Sequence, residues 1–167
     1  MLVLDASTLI LIAKVEVLDV LLDDVKSEVV IPVEVERECC AVKKSFDALM
    51  VQKAVQESKI KVTEVKNKKL IAKLRGDFGI GRGEAEAIAL AVAESAKILG
   101  IDDKNGINAC KLLGIPFTTA IGILIRMREK RLLTVNEALA KLTALAKHGR
   151  YKQSILDDAR PRLEATA

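Results

Sequence analysis

The 167-residue sequence predicts an α/β protein, a sandwich of helices around a central, mainly parallel sheet. Three observations carry this expectation. Short apolar runs, among them Leu2 to Leu4, Val29 to Ile31 and Ile98 to Ile101, alternate with stretches of helical periodicity. The runs are nearly unbroken in apolar character, as strands covered on both faces are. Two of them stop on acids, at Asp5 and Asp102, and ligand sites of such sheets lie beyond the carboxyl ends of the strands.

In chain order, Leu2 to Leu4 is a buried strand ending at Asp5, and Ala6-Ser7-Thr8 leads into a capped helix through Leu9 to Ala13. Leu18, Leu21 and Leu22 mark a second short helix, and Val29 to Ile31 a second strand. Pro32 suits the first turn of a helix over Val33 to Val42 that carries Glu34, Glu36 and Glu38. Asp47 to Ser58 is amphipathic. Ile60, Val62 and Val65 alternate with polar residues as in a half-exposed strand. Asn67 to Leu74 reads as a basic helix followed by a loose GDFGIGRG connection, whose glycine spacing matches no phosphate-binding loop. Gly83 opens a long Ala-rich helix that leads to the Ile98 strand and the pair Asp102-Asp103. Lys104 to Leu113 is a helix ended by Gly114, and Ile115 to Thr118 an edge strand with a proline near its start. Helices over Thr119 to Arg131 and Thr134 to Lys147 follow, then a tail from Arg150 in which Pro161 interrupts any further helix.

Composition narrows the function. The length suits one domain with a real core, and no apolar run approaches the roughly 18 to 20 residues of a membrane span. The start MLVLDASTL has no basic leader, so a cytoplasmic protein without membrane association is expected. Three cysteines, Cys39, Cys40 and Cys110, form neither a disulfide framework nor a zinc pair. His148 is the only histidine, which leaves a histidine metal site or a Ser-His triad little to draw on. Met1 to Glu64 carries 8 basic and 12 acidic residues, and Val65 to Ala167 carries 19 and 11, so the second half can attract a polyanion. With one Tyr, three Phe and no Trp, a nucleic acid would be held through its phosphates rather than by stacking.

The remaining chemistry is carboxylate chemistry. Asp5, one of Glu34 or Glu38, Glu84, and Asp102 with or without Asp103 follow buried strands or sit in the helices around them. Each acid also has a bland explanation as a helix cap or a favourable charge at a helix start. Together they form a candidate site. Crowded acids cannot stay ionised without a cation, and all-oxygen ligands suit Mg²⁺ or Mn²⁺.

The segments MLVLDAST, IPVEVEREC, GEAEAIALA and ILGIDD, with the Gly-Ile-Pro strand and the IGILIRMREKRLL helix, resemble the PIN-domain family, and within it the compact branch of VapC-like ribonuclease toxins. The resemblance spans Met1 to about Gly149, a PIN-like nuclease domain of three α/β/α layers, and leaves 150–167 as a tail with a possible packed helix. It implies a Mg²⁺- or Mn²⁺-dependent ribonuclease whose acids meet at one sheet edge. Asp5, Glu38, Glu84 and Asp102 match the family's catalytic acids, and Ser7 its nearby hydroxyl. Asp5, Glu84 and Asp102 would hold the metal, with Asp103 beside them, while Glu38 would orient water or complete the metal shell. Glu38 is preferred to Glu34 because it follows Val35 by three, and Glu86 is set aside because it points about 200° from Glu84 on a 3.6-residue helix. Arg126, Arg128, Lys130 and Arg131, or the basic run from Lys66 to Arg75, would hold the RNA backbone. Two departures from the branch are Thr119-Ala120, in place of a Thr-Gly-Thr turn, and the absence of an arginine between Asn105 and Asn108.

The same resemblance implies an antitoxin partner and a homodimer, for which the apolar helices Leu9 to Ala13 and Leu18 to Leu22 offer an interface, although burial against the sheet explains the same leucines. Two other functions compete. A haloacid-dehalogenase-like phosphatase would need a second Asp two residues after Asp5, where Ser7 stands. A PIN fold that only binds a partner would have no need of the acids, and fold alone proves no activity.

Overall fold

The structure, a computed structural model, describes residues 1–40 and 45–165. The strands are β1 (Leu2–Leu4), β2 (Val29–Pro32), β3 (Lys61–Thr63), β4 (Ile98–Gly100) and β5 (Phe117–Thr118). The helices α1 (Ala6–Lys14) and α2 (Leu18–Asp24) follow β1, and α3 (Val33–Cys40) and α4 (Phe46–Gln56) follow β2. Next come α5 (Lys68–Phe78) and α6 (Arg82–Ala93) after β3, α7 (Lys104–Leu113) after β4, and α8 (Ala120–Glu129), α9 (Val135–His148) and α10 (Gln153–Glu164) after β5.

All strand pairs are parallel, in the order β3-β2-β1-β4-β5. The chain grows outward from β1 to β3 and then returns to build β4 and β5 on the other side. The topological switch point therefore lies between β1 and β4, where a crevice opens at the carboxyl ends. In β1 the residues Leu2, Val3 and Leu4 are buried, as a central parallel strand requires. Leu4 and Ile31 belong to one apolar cluster with α1, α3, α8 and α9, and Val3 and Leu99 to a second with α5, α6 and α7. Helices thus cover both sides of the sheet, and the fold is the α/β sandwich that the alternating pattern predicts.

α6 crosses β1, β2 and β4. Ala85, Ala87, Ala89 and Ala91 are all buried in it, and side chains this small let a helix lie close to a sheet. The Gly-rich stretch before it is less loose than its composition suggests: α5 runs through Gly76 to Phe78, and α6 starts at Arg82, so only 79–81 link the two helices. Pro32 also differs from expectation. It ends β2, paired with Thr63, instead of opening α3. Residues Ala41 and Val42, expected in that helix, lie outside the described residues.

Of the apolar residues of α1 and α2, Leu9, Leu18 and Leu21 are buried in the core, while Ile10 and Leu22 are half-buried. Among the described residues no helix is long and apolar enough to cross a membrane. Cys39 and Cys110 are buried and Cys40 is half-buried.

The tail holds a helix that Pro161 does not interrupt. Proline removes one helical hydrogen bond, but long-range anchors hold the last turn. Leu163 and Ala159 are buried, and the Arg128 side chain donates from Nε to the Leu163 carbonyl at 3.2 Å and from Nη2 to the Ala165 carbonyl at 3.3 Å. Arg128 is therefore a fastener for the C-terminal helix. Replacing Arg128 by Met removes both charge-assisted bonds and should lower stability to urea by about 3 kcal/mol. The same experiment on Arg126→Ala, whose side chain is 62% exposed in its pair with Glu129, should leave the urea midpoint nearly unchanged.

Candidate active site

Asp5 stands one residue beyond β1 and is fully buried. It caps α1: the Thr8 amide donates to Oδ1 at 2.8 Å and Ser7 Oγ to Oδ2 at 2.6 Å. Asp102 follows β4 by two residues and is approached from three sides. Thr8 Oγ1 and the Ala120 amide each donate to Oδ2 at 2.8 Å, and the Tyr151 hydroxyl donates to Oδ1 at 2.7 Å. The parallel register of Leu4 with Gly100 makes the two aspartates neighbours. Thr8 links them, through its amide to one and its hydroxyl to the other.

Burial pushes the Asp5 carboxyl up to about 7 against the lowering effect of its hydrogen bonds, and the Asp102 charge adds to the rise. Burial likewise raises Asp102, opposed by bonds from Tyr151, Ala120 and Thr8. Cys110, near Asp5, is pushed up to about 11 by burial and stays an unreactive thiol.

A second pair of acids comes from α3 and α6. The Glu38 carboxylate accepts the Gly83 amide, and a Cβ at Gly83 would stand 2.7 Å from both of its oxygens, so any larger residue would displace the carboxylate from this seat. Glu84 lies beside it. Burial and the Glu84 charge raise the Glu38 carboxyl above the usual range. Glu84, Asp102, Asp103 and Ser7 share one cleft of about 500 Å³. Asp103 is the cap of α7, accepting the Gly106 amide at 2.9 Å, while Asp102 caps nothing in that helix.

Two further acids, one in each helix, are neutralised. Glu34 and Glu86 are buried carboxylates, Glu34 held by Arg37 and Glu86 by Arg82 at 2.9 Å, with Arg82 also 3.8 Å from Glu34. Hydrogen bonding from Arg37 lowers the Glu34 carboxyl. Arg82 thereby joins α6 to α3, and Glu38 and Glu84 are left without a guanidinium within ion-pair distance among the described residues.

The expected backbone-binding residues are not gathered at this cleft. Arg128 is buried against the tail, Lys130 pairs with Asp24, and Arg126 pairs with Glu129. With Arg131 they occupy the far end of α8, whose first residue is the one that meets Asp102. The basic residues from Lys66 to Arg75 are exposed, and none of them lines the cleft. The basic side chains at the cleft are instead Lys14, Lys104 and Arg150, with His148 beside them, all exposed. No local sequence pattern distinguishes them from other surface charges. Thr8 and Tyr151 carry no such pattern either, although Thr8 follows the Asp5-Ala6-Ser7 motif directly. The Thr119-Ala120 departure keeps its contact, because the Asp102 bond needs only the Ala120 amide.

Among the described residues no three His, Cys, Asp or Glu side chains are already drawn together as a metal ligand set. The donor chemistry nevertheless fits a hard divalent cation. Asp5, Asp102 and Glu38 are oxygen donors raised by burial, and none has a lysine or arginine within ion-pair distance among the described residues.

A family model for DUF3368, a PIN domain, matches residues 1–165. Comparison with curated proteins gives no match.

Burial of Asp5 has a measurable sign. The unfolded chain loses this proton near 3.8 and the folded protein near 7, so in chelator the protein should lose stability as pH rises between about 4 and 7. The Asp5 share amounts to about 4 kcal/mol once pH exceeds both values. Urea unfolding of the wild type and of Asp5→Asn across this range should diverge accordingly, with the flatter profile in the variant.

Proposed function

The chain belongs to the PIN-domain family, whose members are generally nucleases and typically use divalent metals, and from this and the acids we propose a metal-dependent ribonuclease that hydrolyses phosphodiester bonds. The observation that carries the reading is the pair Asp5 and Asp102, one buried and one half-buried carboxyl, side by side at the switch point of a parallel sheet with no lysine or arginine in ion-pair distance among the described residues. A structural protein gains nothing from such a pair, since each buried charge without a cation costs stability.

In this reading Asp5, Asp102 and Glu84 hold Mg²⁺ or Mn²⁺, with Asp103 at the margin of the same cleft. The ion supplies charge neutralisation at the phosphate and a more acidic water. Glu38 acts as the base, taking a proton at its carboxylate. Its raised affinity for protons brings it closer to the pH at which a general base works best. Ser7 and Thr8 keep Asp5 oriented, and Thr8 with the Ala120 amide does the same for Asp102.

Lys14, Lys104 and Arg150 around the cleft supply the charge to hold a polynucleotide backbone. The sequence resemblance to VapC-like toxins supports RNA as the polymer and an antitoxin as the protein that would silence it.

Purified protein should cleave RNA with Mg²⁺ or Mn²⁺ and stop when the ion is chelated. Asp102→Asn and Glu38→Gln should each lower kcat at least about 100-fold, as removal of charge-stabilising groups does. Lys104→Ala and Arg150→Ala should act on KM and reduce the salt dependence of binding by about one ion each. RNA that stays intact across metals and pH, with binding to RNA retained, would favour a binding module over an enzyme.

A further inference from the structure

Tyr151 is the only tyrosine of a chain without tryptophan, and it lies outside every acidic motif. It sits in the link between α9 and α10, yet its hydroxyl reaches Asp102, 49 residues away in sequence. Its seat is built. The ring packs on the main apolar core and on the backbone of Gly149, where any Cβ would overlap it. Arg128 fastens the far end of α10, so the link is held from both sides.

A carboxylate offers about four lone-pair positions to donors or cations. Three at Asp102 are taken: Thr8 and Ala120 share Oδ2, and Tyr151 uses one position on Oδ1. Three donors from three separate elements leave the carboxylate no freedom to rotate. About one position remains, on Oδ1, and Asp102 borders the cleft that also holds Glu84. Burial and the Asp102 charge push the tyrosine pKa up, so the hydroxyl remains a donor.

We propose that Tyr151 is a positioning residue for the cation site: its hydroxyl orients the Asp102 carboxylate and leaves the last Oδ1 lone pair to a divalent ion. This rests on the metal-dependent reading above and adds to it a group from the C-terminal segment. Hydrogen-bonded partners of ligating carboxylates commonly raise metal affinity in this way. A hydroxyl that merely tied down the link between α9 and α10 would act on stability alone.

The lone tyrosine allows a test without substrate. Mn²⁺ binding to the full chain is read from the electron paramagnetic resonance of the free ion, and Tyr151→Phe should weaken it about 10- to 100-fold. Titration of the wild type with Mg²⁺ should change the tyrosine emission and reach saturation, and Asp102→Asn should abolish that change. Gly149→Ala keeps the hydroxyl but evicts the ring, and it should weaken Mn²⁺ binding as Tyr151→Phe does, which serves should the latter fail to fold. Folded Tyr151→Phe with unchanged Mn²⁺ affinity and a lower urea midpoint would reduce the residue to an anchor and overturn the inference. Tighter binding would also overturn it, since the hydroxyl would then compete with the ion. A wild type that binds no Mn²⁺ overturns the metal-dependent reading itself, and this inference with it.

Discussion

Two acids of like charge are held side by side in a buried place, and Thr8 makes this possible. Its amide belongs to the first turn of α1 and bonds Asp5, while its hydroxyl spans to Asp102 beyond the neighbouring strand. Thr8 is fully buried, so both bonds form where water cannot compete for them. The start of α1 adds the positive end of its dipole to Asp5. The Ala120 amide, in the first turn of α8, adds another donor to Asp102. Strand pairing, two helix starts and one hydroxyl thus converge on a single edge of the sheet. Moving any of them would leave a buried carboxylate without its donors.

Pairing with arginine sorts the other acids. α3 and α6 each present two glutamates toward their shared boundary, and Arg37 and Arg82 take one from each helix, Glu34 and Glu86. Arg82, bonded to Glu86 in its own helix and 3.8 Å from Glu34, is the link between the two helices. Glu38 and Glu84 are left beside each other, Glu84 on the cleft and Glu38 behind it, partly compensated by the Gly83 amide. The division follows from helix geometry: residues four apart share a face, so Arg82 reaches Glu86 while Glu84 turns elsewhere. One set of contacts holds the helices together, and the same set leaves the other acids available to a cation.

The sequence makes the sheet legible because its strands are short, apolar and terminated by acids, signals that depend on neighbours in the chain. Leu2 to Leu4 before Asp5 and Ile98 to Gly100 before Asp102 are visible in this way. The sorting of Glu84 from Glu86 is also local, since it needs only the helical period. Contacts between distant segments leave no such trace. Thr8 and Asp102 are 94 residues apart, Tyr151 and Asp102 are 49, and Arg128 and Leu163 are 35. Arg128 accordingly reads as one more cation in a basic helix end, although it is buried. Glycine misleads in the opposite direction. Gly76 and Gly83 lower helix propensity and suggest a loose link, but packing of α5 on α6 and α7 overrides propensity at the first, and the close approach of Glu38 requires the second.

The C-terminal third of the chain therefore belongs to the site as much as the motifs do. Asp102 receives one donor from before it in sequence, Thr8, and two from after it, Ala120 and Tyr151. Those two belong to one continuous packed unit, Ala120 at its start and Tyr151 in its last link, because α8, α9 and α10 share the apolar cluster that includes Leu124, Leu142 and Leu163. Arg128 in α8 grips the end of α10, and this closes the unit on itself. Lys141 of α9 donates to the Val15 carbonyl at 2.9 Å, tying the unit back to the end of α1, the helix whose first turn carries Thr8. The three donors on Asp102 are thus mechanically linked through the core. A shift of α9 would reach Asp102 from both of its oxygens, through Thr8 at one and Tyr151 at the other.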